Sequence, residues 1–271
     1  ISLYNSNNEI KDPFEGLLTQ REWRELYDFD YQLELDKTIN LDLLDKLGIS
    51  KYPWFVCLHV REEGFRSKMN DTDSSRNVSI GEYDQLVDLV IKNGGCVVRL
   101  GDNHMSKLRN TEGYIDYANS SYTSELLDLY LVKNCRFYIG THSGPLSLAC
   151  LFKKDIISTN CPTHIYTLCF NHKSIFLHQN TFKDNKELSI EFTLKNLRKI
   201  EKKYINGDLY DGYILKENSS KQLLSAVNYY FQNINLLNFK LTKYEQNLFN
   251  LYVSKAQEFI IEQKYFSRPI D

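Results

Sequence analysis

Cys135-Arg-Phe-Tyr-Ile-Gly-Thr-His-Ser-Gly-Pro-Leu-Ser-Leu-Ala-Cys-Leu-Phe152 is the stretch on which the fold turns. Cys135–Ile139 is a compact apolar run that predicts a buried strand. Gly140-Thr-His-Ser-Gly144 follows as a loop of small and polar residues, and Pro145 suits the first turn of a helix reaching Phe152. The same grammar repeats outward from this unit. Upstream, Trp54-Phe-Val-Cys-Leu-His-Val60 reads as a buried strand ending in a polar loop, Arg61 to Val78. Ser79-Ile-Gly-Glu82 is a capping box, with Tyr83, Leu86, Val87, Val90 and Ile91 at helical spacing behind it and Gly94-Gly95 closing the helix. Cys96–Leu100 is another strand, and a further helix starts near Thr123. Downstream, Asp155–Ser158 is a fourth strand. Strands alternating with helices in this way predict an α/β fold, a doubly wound parallel Rossmann-like sheet.

The flanks divide the chain into three. Residues 1–50 carry one short helix, Asn40–Leu47, and read as an N-terminal segment or the remnant of an acceptor-side domain. Residues 51–235 form the Rossmann-like unit, with a loop-rich stretch at 161–190, a possible strand at Tyr213–Leu215 and a helix opened by the capping box Ser219-Ser-Lys-Gln222. Residues 236–271 hold a last helix, begun by Thr242-Lys-Tyr-Glu245 and expected to pack back on the protein. The chain starts at Ile1 with no signal-peptide pattern, and it reads as a trimmed or processed piece of something longer.

Composition narrows the function. With 33 Lys+Arg against 35 Asp+Glu, the formal net charge of −2 argues against nucleic acid as a partner held by bulk charge. No apolar run approaches the roughly 18 residues of a membrane span, so a transmembrane segment is not expected and only peripheral association stays open. The six cysteines show no C-x-x-C pair and no zinc-like spacing, and four of them lie in apolar segments. Reduced, buried thiols and a cytoplasmic location are the expectation, with no metal site.

In a parallel α/β sheet, ligands bind outside the carboxyl ends of the strands. That rule points to His59–Arg66, Gly101–His104, Gly140–Gly144 and Ser158–Asn160. Side-chain alternation puts His59 and Arg61 on one face of the first strand, and a guanidinium is a planar fork suited to diphosphate oxygens. Arg66 and Arg76 follow in the next loop as further candidate substrate contacts. Gly140, Thr141, Ser143 and Gly144 let backbone approach a ligand at a helix N-terminus, where free N–H groups favour an anion. Ser143 could equally cap that helix. Asp102 is placed to accept bonds from a ribose, a base or an acceptor hydroxyl, or else to cap its own loop. The loop is neither G-x-G-x-x-G nor G-x-x-x-x-G-K-[ST], which removes support for a dehydrogenase, an epimerase or a P-loop enzyme.

Taken in order, His59-Val-Arg61, Arg76-Asn77, Arg99-Leu-Gly-Asp102, Tyr117-Ala118, Asp128–Leu131, Cys135–Gly144, Ser158-Thr-Asn160 and Ile214–Asn218 resemble a bacterial family of glycosyltransferases. More distantly, His-x-Arg and Gly-Thr-x-Ser are similar to the nucleotide-sugar half of fucosyltransferases with a GT-B fold. The resemblance implies the C-terminal half of a GT-B enzyme with additional C-terminal helices, moving sugar from a nucleoside-diphosphate donor to a glycan or other hydroxyl acceptor in surface-glycan synthesis. It implies no cofactor and no essential metal. By the same carry-over, His59 and Arg61 contact the donor diphosphate, Thr141 and Ser143 bind phosphate or ribose, and Asp102 lies near the nucleoside. Asn160 falls within the same pattern as a substrate contact. Arg61 is the leading transition-state residue, and Asp102 and His142 are the candidate bases. The fucosyltransferase pattern has a second arginine where this chain has Glu62, which argues against GDP-fucose. A non-catalytic nucleotide- or sugar-binding module is the alternative.

Overall fold

The computed structural model describes residues 3–4, 10–11, 41–62, 77–161, 174–196, 213–233, 242–248, 250–251 and 254. A six-stranded sheet organises them. Its strands are β1 (Phe55–His59), β2 (Cys96–Arg99), β3 (Tyr114–Ile115), β4 (Tyr138–Thr141), β5 (Ile156–Cys161) and β6 (Ile175–His178). They lie in the order β3-β2-β1-β4-β5-β6, and every neighbouring pair is parallel. This α/β arrangement is Rossmann-like, and its strand order reverses between β1 and β4.

Alternation along the strands supplies two apolar layers. Val56, Leu58, Val97 and Ile139 enter one, and Cys57, Val98 and Tyr138 enter the other. The short helix α1 (Asp42–Lys46) is followed by α2 (Asp84–Lys92), α3 (Glu125–Asn134) and α4 (Gly144–Leu151). Next in the chain come α5 (Ile190–Lys195) and α6 (Ser220–Asn233). Leu86, Val87 and Val90 of α2 join Leu223, Val227 and Tyr230 of α6 over the first layer. Leu127 and Leu131 of α3 join Leu146 and Ala149 of α4 over the second. Burying each such aliphatic side chain is worth roughly 1.5–3 kcal/mol, so both faces of the sheet need their helices. Tyr230 anchors α6 twice, through its ring 4.4 Å from that of Phe137 and through its hydroxyl, which donates to Asp155 Oδ2 at 2.7 Å.

Several boundaries differ from the sequence reading. β4 begins three residues later than expected and takes in Gly140 and Thr141, because Gly140 pairs in register with both His59 and Ser158. β5 runs on to Cys161, so Thr159 and Asn160 belong to the strand. The stretch read as loop-rich contains β6, the sheet's edge, and β3 is a two-residue strand too short for periodicity to reveal. Tyr213–Lys216 does form a strand, β9, but in a separate antiparallel sheet beside β7 (Asn180–Lys183), with β8 (Lys186–Glu187) on the far side.

The capping boxes part ways as well. Ser219 and Gln222 form theirs, the Ser219 amide donating to Gln222 Oε1 at 2.9 Å. Thr242 and Glu245 do likewise at 2.7 Å, and residues 243–248 are helical. Ser79 and Glu82 do not, because residues Ile80–Tyr83 form a 3-10 turn ahead of α2. Glu82 Oε2 instead accepts from the Ser220 amide at 2.9 Å and its hydroxyl at 2.6 Å, at the N-terminus of α6. Glu217 returns the tie by accepting from the Ser79 amide at 3.1 Å. A carboxylate that could have capped its own helix therefore straps two helices together.

Candidate functional site

Where the strand order reverses, β1 is followed by α2 over one apolar layer and β4 by α4 over the other, the position at which parallel α/β sheets form a ligand-binding crevice. The structure brings the predicted residues of these two strand ends together. The Arg61 amide donates to Thr141 Oγ1 at 2.9 Å, and Ser143 Oγ lies 3.0 Å from His59 Nδ1. His59 and Arg61 are each 6% exposed and Thr141 is 1% exposed, so these groups sit at the lip of the core. Burial, with Arg99 beside it, lowers the His59 pKa to about 4, Asp102 opposing the shift and Arg61 adding to it. The ring is therefore neutral at pH 7.

α4 begins at the same point. Ser143 is its N-cap, yet its hydroxyl makes no capping bond. That hydroxyl turns back to donate to the Thr141 carbonyl at 3.1 Å. Pro145 has no N–H and the Leu146 amide donates to the Ser143 carbonyl at 3.1 Å, so the exposed Gly144 amide is the donor that this first turn leaves uncapped among the described residues. The two glycines of this loop do different things. A Cβ on Gly140 would come 2.5 Å from the His59 carbonyl oxygen, so Gly140 is required by the contact between β1 and β4 rather than by a ligand. A Cβ on Gly144 would meet nothing within 4 Å, and this exposed residue is where another molecule has room to approach.

Directly behind the crevice lies a charge pair that the sequence did not disclose. Arg99 is wholly buried at the end of β2, and its Nη2 donates to Glu62 Oε2. Its Nη1 donates to the Ser106 carbonyl at 2.5 Å and lies 3.4 Å from Asp116 Oδ1. Glu62 thus compensates a buried guanidinium from the neighbouring strand. Two ends of adjacent strands carrying opposite charges were the available signal.

The remaining candidates fall in different places. Asp102 Oδ1 accepts the His104 amide at 2.9 Å, a loop-closing turn, and the Asp102 side chain is 40% exposed. His142, half-buried, follows β4 directly. Asn160 is 2% exposed and its amide is fully engaged with the fold: Oδ1 accepts from the Asn218 amide at 2.6 Å, and Nδ2 donates to the Tyr83 hydroxyl at 3.0 Å. Its φ of 49° is one that asparagine tolerates better than most residues. Arg66 and Arg76 lie outside the described residues.

Cys57, Cys96, Cys135 and Cys150 are buried thiols outside any disulfide, as their apolar settings suggested; Cys161 is so too, and Cys169 lies outside the described residues. Among the described residues no group of three or more His, Cys, Asp and Glu could hold a metal ion, and no helix is long and apolar enough to cross a membrane. No protein-family model, curated protein or solved structure matches the chain.

Proposed function

We propose that this chain is the donor-binding part of a cytoplasmic glycosyltransferase, the C-terminal, doubly wound half of a GT-B fold. It would move a sugar from a nucleoside diphosphate to a hydroxyl of a glycan or similar acceptor in the assembly of bacterial surface polysaccharide. The observation that carries this reading is the meeting of Arg61, Thr141, Ser143 and an uncapped helix start at the reversal of strand order. Sugar transfer builds negative charge on the leaving diphosphate. A buried guanidinium and the Gly144 amide at the positive end of α4, both held in place before reaction, would stabilise such charge without reorganising. Nothing in this arrangement calls for a metal or a further cofactor. Asp102 and His142 are the candidates for the base that takes the acceptor proton.

A non-catalytic nucleotide- or sugar-binding module is favoured by one feature, the use of Asp102 to close its own turn. The test is calorimetric titration with GDP, UDP, ADP and CMP, followed by turnover of the matching sugar donors. Arg61→Ala should lower turnover about 10²-fold, the scale of losing one preorganised donor, in a protein that melts like the wild type. Unchanged turnover in a folded Arg61→Ala protein contradicts the catalytic role. Nucleotide binding without turnover of any donor leaves the binding module.

A further inference from the structure

Three hydrogen-bonding groups meet where β4 hands over to α4, and their proton count decides what the crevice can recognise. Ser143 Oγ lies 3.1 Å from the Thr141 carbonyl oxygen and 3.0 Å from His59 Nδ1. A carbonyl has no proton to give, so the first contact consumes the single hydroxyl proton of Ser143. The second is then a hydrogen bond only when His59 Nδ1 carries a proton and donates it to Ser143 Oγ. A neutral imidazole has one N–H, so Nε2 keeps a bare lone pair. Assignment from the surrounding bonds is the usual way to fix a histidine tautomer, and here both contacts agree on one answer. Nε2 has no hydrogen-bond partner among the described residues.

A bare ring nitrogen accepts a hydroxyl proton and repels a phosphate oxygen. We infer that His59 recognises a ligand hydroxyl through Nε2, instead of donating to a diphosphate, and that Ser143 is the positioning residue that sets this tautomer. The inference rests on the proposed function only for the source of the hydroxyl, which is the donor's ribose or its transferred sugar. It divides the work of the crevice. Phosphate oxygens fall to Arg61 and the Gly144 amide at the start of α4, and the sugar hydroxyl falls to His59. The neutrality of His59 at pH 7, a consequence of its burial beside Arg99, keeps Nε2 unprotonated across the physiological range.

Two measurements on the full chain test this. The first is long-range ¹H–¹⁵N NMR of histidine-labelled protein at pH 7, with His59 identified by its loss in His59→Gln. The expected spectrum has Nδ1 protonated and Nε2 bare, and Ser143→Ala should erase that preference. A proton on Nε2 in the wild type overturns the inference, whatever the protein binds. The second compares ligands. His59→Phe should weaken a nucleoside diphosphate or its sugar conjugate about tenfold, the scale of one lost hydrogen bond, and leave inorganic diphosphate unchanged. Equal weakening of inorganic diphosphate overturns the inference. The 2′,3′-dideoxy nucleotide separates the two sources: equal affinity in wild type and variant assigns the hydroxyl to ribose. Failure of every nucleotide to bind would count against the proposed function, while the tautomer would still be decided by the spectrum.

Discussion

At the end of β5, Asn160 and Asn218 each accept the other's backbone amide at 2.6 Å, Asn218 Nδ2 donates to the His178 carbonyl at 2.7 Å, and Tyr83 bridges Thr159 and Asn160. Neighbouring β4 ends differently. There Thr141 and Ser143 use their hydroxyls on β1 and on their own loop, and they leave His59 Nε2 and the Gly144 amide outside the network. Both clusters lie at the carboxyl end of one sheet, and both are built from small polar residues and a histidine. The first spends its donors and acceptors on joining β5, β6, the turn ahead of α2 and the segment that leads into α6. The second holds some in reserve. Position at the end of a parallel strand therefore marks where a site is possible, and the state of the local hydrogen bonds says which end is used.

The comparison can be broken by substitution, and the largest effect is expected behind the crevice. Glu62→Ala strips the buried Arg99 guanidinium of its closest carboxylate and should cost about 3–5 kcal/mol in urea unfolding. A loss below about 1 kcal/mol would mean that Asp116 alone can compensate Arg99. Asn218→Ala comes next. It opens the closed cluster, taking from the Asn160 amide its acceptor and from the His178 carbonyl the donor supplied by Asn218. The expected cost is about 3 kcal/mol, or a melting temperature lower by roughly 6–12 °C, with nucleotide affinity unchanged below the transition. Weakened binding in that variant would show that the clasp belongs to the site.

The glycines sharpen the same contrast. Gly140→Ala forces a methyl against the His59 carbonyl oxygen and should cost about 1–3 kcal/mol. Gly144→Ala should stay within about 0.5 kcal/mol of wild type. Gly144→Val should melt like wild type yet weaken nucleotide binding, and unchanged affinity would return the loop to a plain connection.

The smallest effect is a pH dependence shared by both clusters. Burial lowers His178 to about 4, as burial with Arg99 does for His59, against an ordinary value of 6.5. The unfolded chain takes up these protons first, so stability is complete above pH 6.5 and falls as pH drops toward 4. From pH 7 to 6 the two together should cost about 1 kcal/mol. A bound nucleoside diphosphate should move the His59 midpoint and leave that of His178 in place. Equal movement of both would contradict the separation of the clusters.

Much of this was legible in residue order. The apolar runs at Trp54–Val60, Cys96–Leu100 and Cys135–Ile139 identify buried parallel strands because they lack polar alternation, and the capping boxes at Ser219 and Thr242 form as written. The strand-end rule pointed to His59–Arg66 and Gly140–Gly144 as separate segments, and the pairing of β1 with β4 is what brings them together. Tertiary partners settled the rest. Glu82 finds the N-terminus of α6, 138 residues away, a choice that local sequence does not encode. Glu62 reads as a departure from a motif until Arg99 of β2 is placed beside it. Asn160 looked like a ligand contact because it sits at a strand end, but Asn218 and Tyr83 take up its amide. Gly140 looked like a phosphate-loop glycine, and it answers to the backbone of β1.

On the proposed function, the crevice between β1 and β4 receives a nucleoside diphosphate and the closed cluster at β5 does not. Backbone amide NMR during titration with the tightest-binding nucleotide of the panel tests it most directly. Saturable shifts are expected at Arg61, Thr141, Ser143 and Gly144, with Thr159, Asn160 and Asn218 unmoved, and loss of those shifts in Arg61→Ala. Shifts centred on Asn160 and Asn218, or none at the ends of β1 and β4, would contradict it.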